Sequence, residues 1–278
     1  MYKQCQSINK GEFLVSKPFL GTVNKKIFFD ESGKDQDYPI LMGAFSIPTE
    51  IYELSDFNTI QGTKSHWVNF TRKEDMKTLL AVIAKYHEVV DINVINYNYN
   101  AVLEDVKTRF SDPVDIKYFS NKAIYAKFPE RIFYGLLRNY PQYVLVDAEV
   151  VIENGTEYDI STVKEVVEKD LNVQGIYRGE PFKISKVDLK PKGVDVGLEI
   201  VDLLLGIMRT IIINQSDSKR KRKKNNFIIS LFKENPDIKK LFKEIRFFEW
   251  NHNEALKEVK FSKYIEIFLA SNKHLWWD

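Results

Sequence analysis

Two adjacent carboxylates, Asp30 and Glu31, close the apolar run Ile27-Phe28-Phe29 and are followed by the turn residues Ser32-Gly33. That places acid chemistry where a buried strand surfaces. A second pair, Glu199 and Asp202, lies within Gly197-Leu198-Glu199-Ile200-Val201-Asp202-Leu203-Leu204-Leu205-Gly206, which reads as a buried helix because it is apolar nearly all round. Their spacing puts both on one helical face. Another acid, Asp147, ends the continuous apolar run Tyr143-Val144-Leu145-Val146, read as a central strand covered on both sides. Carboxylates gathered in such a setting raise one another's pKa until a proton or a divalent cation relieves the repulsion. Hard oxygen donors without His or Cys suit Mg²⁺ or Mn²⁺, and a two-metal site of that kind serves phosphodiester hydrolysis by activating water and stabilising the leaving oxygen. On this reading Asp30, Asp147 and Asp202 are metal ligands, with Glu31 and Glu199 as further ligands or water-orienting groups. The competing reading is structural: strand-end acids form turns and caps, and Asp202 answers a cation such as Arg209.

The net charge is only +2, yet Lys219-Arg220-Lys221-Arg222-Lys223-Lys224 is cationic at every position. Basicity is therefore local, and the run reads as a loop that either contacts nucleic-acid phosphates or is simply solvated. Lys64, in Lys64-Ser65-His66-Trp67, is a further candidate for contact with phosphate, with His66 beside it. The four histidines, His66, His87, His252 and His274, share no metal-ligand spacing. Asn96, Asn98 and Asn100, alternating with Tyr97 and Tyr99, read as an aromatic sheet face in preference to a base-stacking surface. Gly33 and Gly43 form no phosphate-loop pattern, which argues against a nucleotide triphosphatase.

These residues need elements to hold them. A chain of 278 residues, 44% hydrophobic, buries one large domain, or one domain and an appendage. The single cysteine, Cys5, permits no intramolecular disulfide and no cysteine-based zinc site, as in a reducing cytoplasm. Residues 1–10 lack an apolar signal core, and the apolar runs fall short of the ~20 residues that span a bilayer, so a cytoplasmic protein without a membrane partner is expected. Residues 1–24 read as a tail or edge element. Strands over 25–30 and 40–47 pair as a hairpin across the 32–37 turn; a helix over 71–87, a strand over 91–97 and a long helix over 117–138 follow. After the strand ending at Asp147 come a helix over 161–171, a strand over 182–189 and the buried helix over 193–214. Beyond the basic run, helices are predicted over 227–232, 236–248 and 254–269, with Trp276-Trp277 docking on the core or a partner. The fold class is mixed α/β: a domain over 25–214, then a basic loop and helical appendage over 215–278 that is also the expected surface for a homodimer or protein partner.

In these motifs the chain resembles the DUF3800 proteins, a bacterial and phage group with a predicted ribonuclease H-like fold. The resemblance spans about residues 25–210 and rests on Phe29-Asp30-Glu31-Ser32-Gly33 before a Gly-containing strand, on the strand ending at Asp147, and on the segment from Leu198 to Gly206. Glu199 stands where the family's late motif usually has glutamine, and Val201 where it has alanine. Gly62-Thr63-Lys64 only partly matches a family Glu-x-Lys element, and Leu189 follows Asp188 where a serine is common. The resemblance implies a ribonuclease H-like mixed sheet flanked by helices and a Mg²⁺- or Mn²⁺-dependent nuclease acting on RNA or DNA, in a setting of phage defence or mobile-element conflict. The departure at Glu199 also suits a catalytically inactive protein that keeps the fold to bind nucleic acid or a protein partner.

Overall fold

The computed structural model describes residues 19–33, 38–138, 140–154, 160–251 and 255–273; Cys5, His252, His274, Trp276, Trp277 and parts of the expected N-terminal tail and 32–37 turn lie outside them. The expected hairpin forms: β1 (Gly21–Ser32) pairs antiparallel with β2 (Ile40–Pro48), with Asp30 opposite Gly43. β3 (Asp91–Tyr97) runs antiparallel to β2, as the β-branched run at 91–97 predicts. β4 (Val144–Glu153) lies parallel to β1, and β5 (Phe182–Lys190) parallel to β4. β6 (Arg246–Trp250) extends the sheet beside β3, and β7 (Lys257–Lys260) closes it antiparallel to β6. The order is β5-β4-β1-β2-β3-β6-β7. Because β1, β3, β4, β5 and β6 run the same way, their carboxyl ends share one edge of the sheet, where ligand sites of open α/β sheets gather.

Alternation along the strands divides the core in two. Phe28, Phe45, Val94 and Val151 face one cluster of helices, while Ile27, Phe29, Ile95 and Ile152 face the other. The buried helix (Val196–Ile213) lies on the first face and approaches the sheet closely at glycines. A Cβ on Gly197 would sit 2.3 Å from the Phe28 ring, and one on Gly43 2.7 Å from Leu205. Asp195 starts that helix, its Oδ1 accepting from Gly197 N–H and from the Tyr52 hydroxyl while Oδ2 pairs with Lys190 Nζ at 2.7 Å. On the second face the predicted long helix is a continuous 113–137 run with a π-helical turn at Ala123–Lys127, just ahead of Pro129, which lacks the N–H a regular helix would use.

The C-terminal segment is not an appendage. β6 and β7 belong to the central sheet, and the helices Lys219–Glu234, Pro236–Glu244 and Ser262–Ser271 place Phe227, Leu231, Phe242 and Phe268 in the Phe28-side core. The helix predicted over 236–248 stops at Glu244, since Phe247 and Phe248 point to opposite faces and the edge of β3 takes them as a strand. The helix predicted over 254–269 divides into β7, which pairs with the edge of β6, and a shorter helix. The basic run is not a loop either: it forms the first turns of the 219–234 helix, where the Ser218 side chain accepts from Lys221 N–H as N-cap. Lys and Arg are good helix formers, and the apolar stripe that follows anchors them. Among the described residues no helix is long and apolar enough to cross a membrane.

Candidate active site

Asp30 projects from β1 onto the face covered by the 196–213 helix and is buried, 6% exposed. Its Oδ1 accepts from Glu31 N–H at 2.8 Å. Glu31, one residue on, points the other way because successive strand side chains alternate; its Oε1 accepts from the hydroxyl of Tyr97 at 2.7 Å. The adjacent acids are therefore separated by the sheet itself.

Asp147 is also not brought to Asp30. It lies opposite Asn24 in the parallel register, six residues before the level of Asp30, or ~20 Å along the strand at ~3.3 Å per residue. Burial works against its charge, but Lys183, 2.7 Å away, helps hold the carboxyl below the usual range. β4 does not end there. It runs on to Glu153, one residue past the Ile152–Phe29 pair, on the same face as Val151. The acid that β4 delivers to the site is Glu153.

Asp202 completes the group from the helix. Asp30, Glu153 and Asp202 come from three separate elements, and one cation sits among them: Lys192 Nζ is 3.6 Å from Glu153 Oε1 and 3.9 Å from Asp202 Oδ1. Burial, then Asp202 and Glu153, push the Asp30 carboxyl well above the usual range, against the Glu31 N–H and Lys192. Burial alone would lower Lys192, but Asp202, Asp30, Glu153 and Glu199 together hold its ammonium above the ordinary lysine value. Arg209, the cation expected to answer Asp202, donates from Nε to the Pro39 carbonyl at 2.9 Å.

The 64–70 loop holds the two helix acids in place. Ser65 N–H donates to Glu199 Oε2 at 2.7 Å and Trp67 N–H to Asp202 Oδ2 at 2.9 Å. Glu199 is 2% exposed, and burial raises its pKa despite the Ser65 bond and the nearby His66, whose Nδ1 is 3.5 Å from Oε2. The loop is pinned through Trp67, whose Nε1 donates to Thr210 Oγ1 at 3.0 Å and whose side chain packs closely against Gly206. A Cβ there would fall 2.3 Å from the indole, so the glycine ending the Leu203-Leu204-Leu205-Gly206 motif is what admits the loop. Lys64 is exposed, and its stem runs along Gly193, beside Lys192, at the rim of the acid group.

Next to Asp202 a cavity of about 510 Å³ opens between the end of β1, the 196–213 helix and the start of the basic helix. Arg209, Arg220, Lys221 and Lys224 line it. Arg220 donates to the Val68 carbonyl, Lys221 contacts Gln215 and Asp217, and Lys224 Nζ rests 4.8 Å above the Trp67 ring. Arg222 donates to the Ser216 carbonyl, while Lys219 and Lys223 are exposed. Of the Asn-Tyr alternation, Tyr97 is buried and Asn98 caps the Tyr99–Lys107 helix, so it offers no stacking surface.

The donor set is oxygen only, the chemistry that suits Mg²⁺ or Mn²⁺. Among the described residues no three His, Cys, Asp or Glu side chains are arranged as they stand to hold a metal ion, and Lys192 lies where the acids converge. Comparison with protein-family models, curated proteins and solved structures gave no match.

Proposed function

We propose that the chain is a Mg²⁺- or Mn²⁺-dependent nuclease of ribonuclease H-like fold, akin to the DUF3800 proteins, that hydrolyses phosphodiester bonds in RNA or DNA. The observation that carries the reading is the convergence of Asp30, Glu153 and Asp202, from two parallel strand ends and a facing helix, beside a cleft lined by cations. The order β5-β4-β1-β2-β3, with antiparallel β2 among parallel neighbours, supports the same fold. Asp30, Glu153 and Asp202 would hold the metal, with Glu199 behind them, and a bound divalent cation would supply water activation and stabilisation of the leaving oxygen. Lys192 would move aside to let it in, towards substrate phosphate. The Ser65 and Trp67 N–H groups keep Glu199 and Asp202 oriented, while Lys64 and the basic helix draw the nucleic-acid backbone to the acids.

One observation favours a second reading. Lys192 already neutralises part of the acid group, and a lysine held there permanently would leave a catalytically inactive protein that binds nucleic acid or a protein partner. Cleavage assays over RNA and DNA substrates in Mn²⁺ separate the two. On the nuclease reading Glu153→Gln loses activity by at least ~10²-fold, the loss of ~2.7 kcal/mol of transition-state stabilisation, whereas Asp147→Asn keeps it. Wild-type protein that cuts nothing, or equal activity in both variants, would count against it.

A further inference from the structure

The cavity that Asp202 lines also holds a cation that no described carboxylate pairs directly. Lys224 is half-buried, stacked on Trp67 and Phe70 at 4.8 and 5.9 Å, and among the described residues it has no ion pair. Burial first, then the like charges of Arg220 and Arg209, make its ammonium easier to deprotonate, against the weaker attraction of Asp202. The opening turn of the basic helix contributes Ser218 and Lys221 to the same wall, and its backbone dipole adds to the positive potential. Six cations at the positive end of a helix are unfavourable on their own account, and an anion in the cavity relieves the helix dipole and the mutual repulsion together.

Size and lining narrow the anion. At about 510 Å³ the cavity lies in the ~300–1,000 Å³ range of small-ligand pockets, far more than a bare phosphate fills. Val68 and Ile213 give it an apolar wall and Trp67 an aromatic one, and an aromatic surface in a cationic groove is how single strands are held without base readout. We infer that this cavity receives one unpaired nucleotide of a single-stranded nucleic acid, its phosphate against Lys224, Arg209 and Arg220 and its base against Val68 and Ile213. The inference deepens the nuclease reading, resting on it only for the idea that the neighbouring phosphate lies towards Asp202.

Binding in chelator tests it without catalysis. A fluorescent oligothymidylate and its blunt duplex with oligoadenylate are titrated with the full chain at fixed salt. The single strand is expected to bind at least about tenfold tighter, and Lys224→Met to weaken it by roughly tenfold, the scale of one charge-assisted contact, with an unchanged melting temperature. Lys224→Arg should restore binding. Lys219→Met, which alters the same basic run outside the cavity, should cost at most about twofold through general screening. Duplex binding as tight as single-strand binding, no binding to either, or equal effects at Lys219 and Lys224 would overturn the inference. The nuclease reading stands or falls separately, on metal-dependent cleavage.

Discussion

Lys192→Met is expected to lower the melting temperature of the metal-free protein and to tighten its binding of Mn²⁺. The ammonium is the only cation within 4 Å of Glu153 and Asp202 among the described ion pairs, so its loss leaves Asp30, Glu153, Glu199 and Asp202 to repel one another. Stripping a partner from a fully buried ion pair costs ~3–5 kcal/mol. Lys192 is 46% exposed, so solvent screening brings the expected loss down to about 1–2 kcal/mol. The same substitution removes the cation that competes with a metal, and Mn²⁺ affinity measured by titration calorimetry should rise by roughly tenfold, or ~1.4 kcal/mol. A variant that melts lower in chelator and gains nothing from Mn²⁺ would instead make Lys192 a permanent counter-ion.

The acids that the structure gathers were half legible in the sequence. Asp30 and Asp202 stood out because each interrupts an apolar run, and the buried 196–213 helix and the β1–β2 hairpin follow directly from hydrophobic patterning. Reading Val144 to Asp147 as a continuous run, however, ended β4 too early. Taken as alternation, Val146, Ala148, Val150 and Ile152 form one fully apolar face while Asp147, Glu149, Val151 and Glu153 form the other, a period of two that carries the strand to Glu153. The strand ends at Glu153, just before Asn154, as β1 ends at Ser32 just before Gly33. The same rule sends Glu31 away from Asp30. Lys192 carried no local signal: nothing in Pro191-Lys192-Gly193 reveals that tertiary structure brings it to four acids. β6 was hidden because Arg246 to Trp250 pairs with an edge that only the assembled sheet provides, and long-range pairing of that kind overrides local helical pattern.

The second large effect is on pH. In the metal-free protein the Asp30 carboxyl keeps its proton well above the ordinary carboxylate range, chiefly through burial and the neighbouring Asp202 and Glu153. An acid whose folded pKa is raised binds more protons folded than unfolded, so stability falls as pH climbs from the unfolded value, ~3.9, towards the raised folded one, and levels beyond it. Asp30→Asn should flatten this slope. A metal must displace the proton, so Mn²⁺ affinity should rise with pH over the same window in wild type, by up to tenfold per pH unit for one proton released. Calorimetry in buffers of different ionisation enthalpy counts that proton directly. A pH-independent affinity, or no proton released, would place the metal away from Asp30.

The central claim, that Asp30, Glu153 and Asp202 form a site for a divalent cation, is tested most directly by thermal melts of wild type and Asp202→Asn in chelator and in Mn²⁺. Four carboxylates face a single lysine in this group, so removing one negative charge should leave the metal-free variant as stable as wild type or more so. Mn²⁺ at 100 times its dissociation constant should stabilise wild type by about 2.7 kcal/mol, a rise of ~4–8 °C in a chain of this size, and the variant far less. A wild type whose melting temperature ignores Mn²⁺, together with a variant that melts well below it in chelator, would contradict the metal site and leave Asp202 as the partner of Lys192.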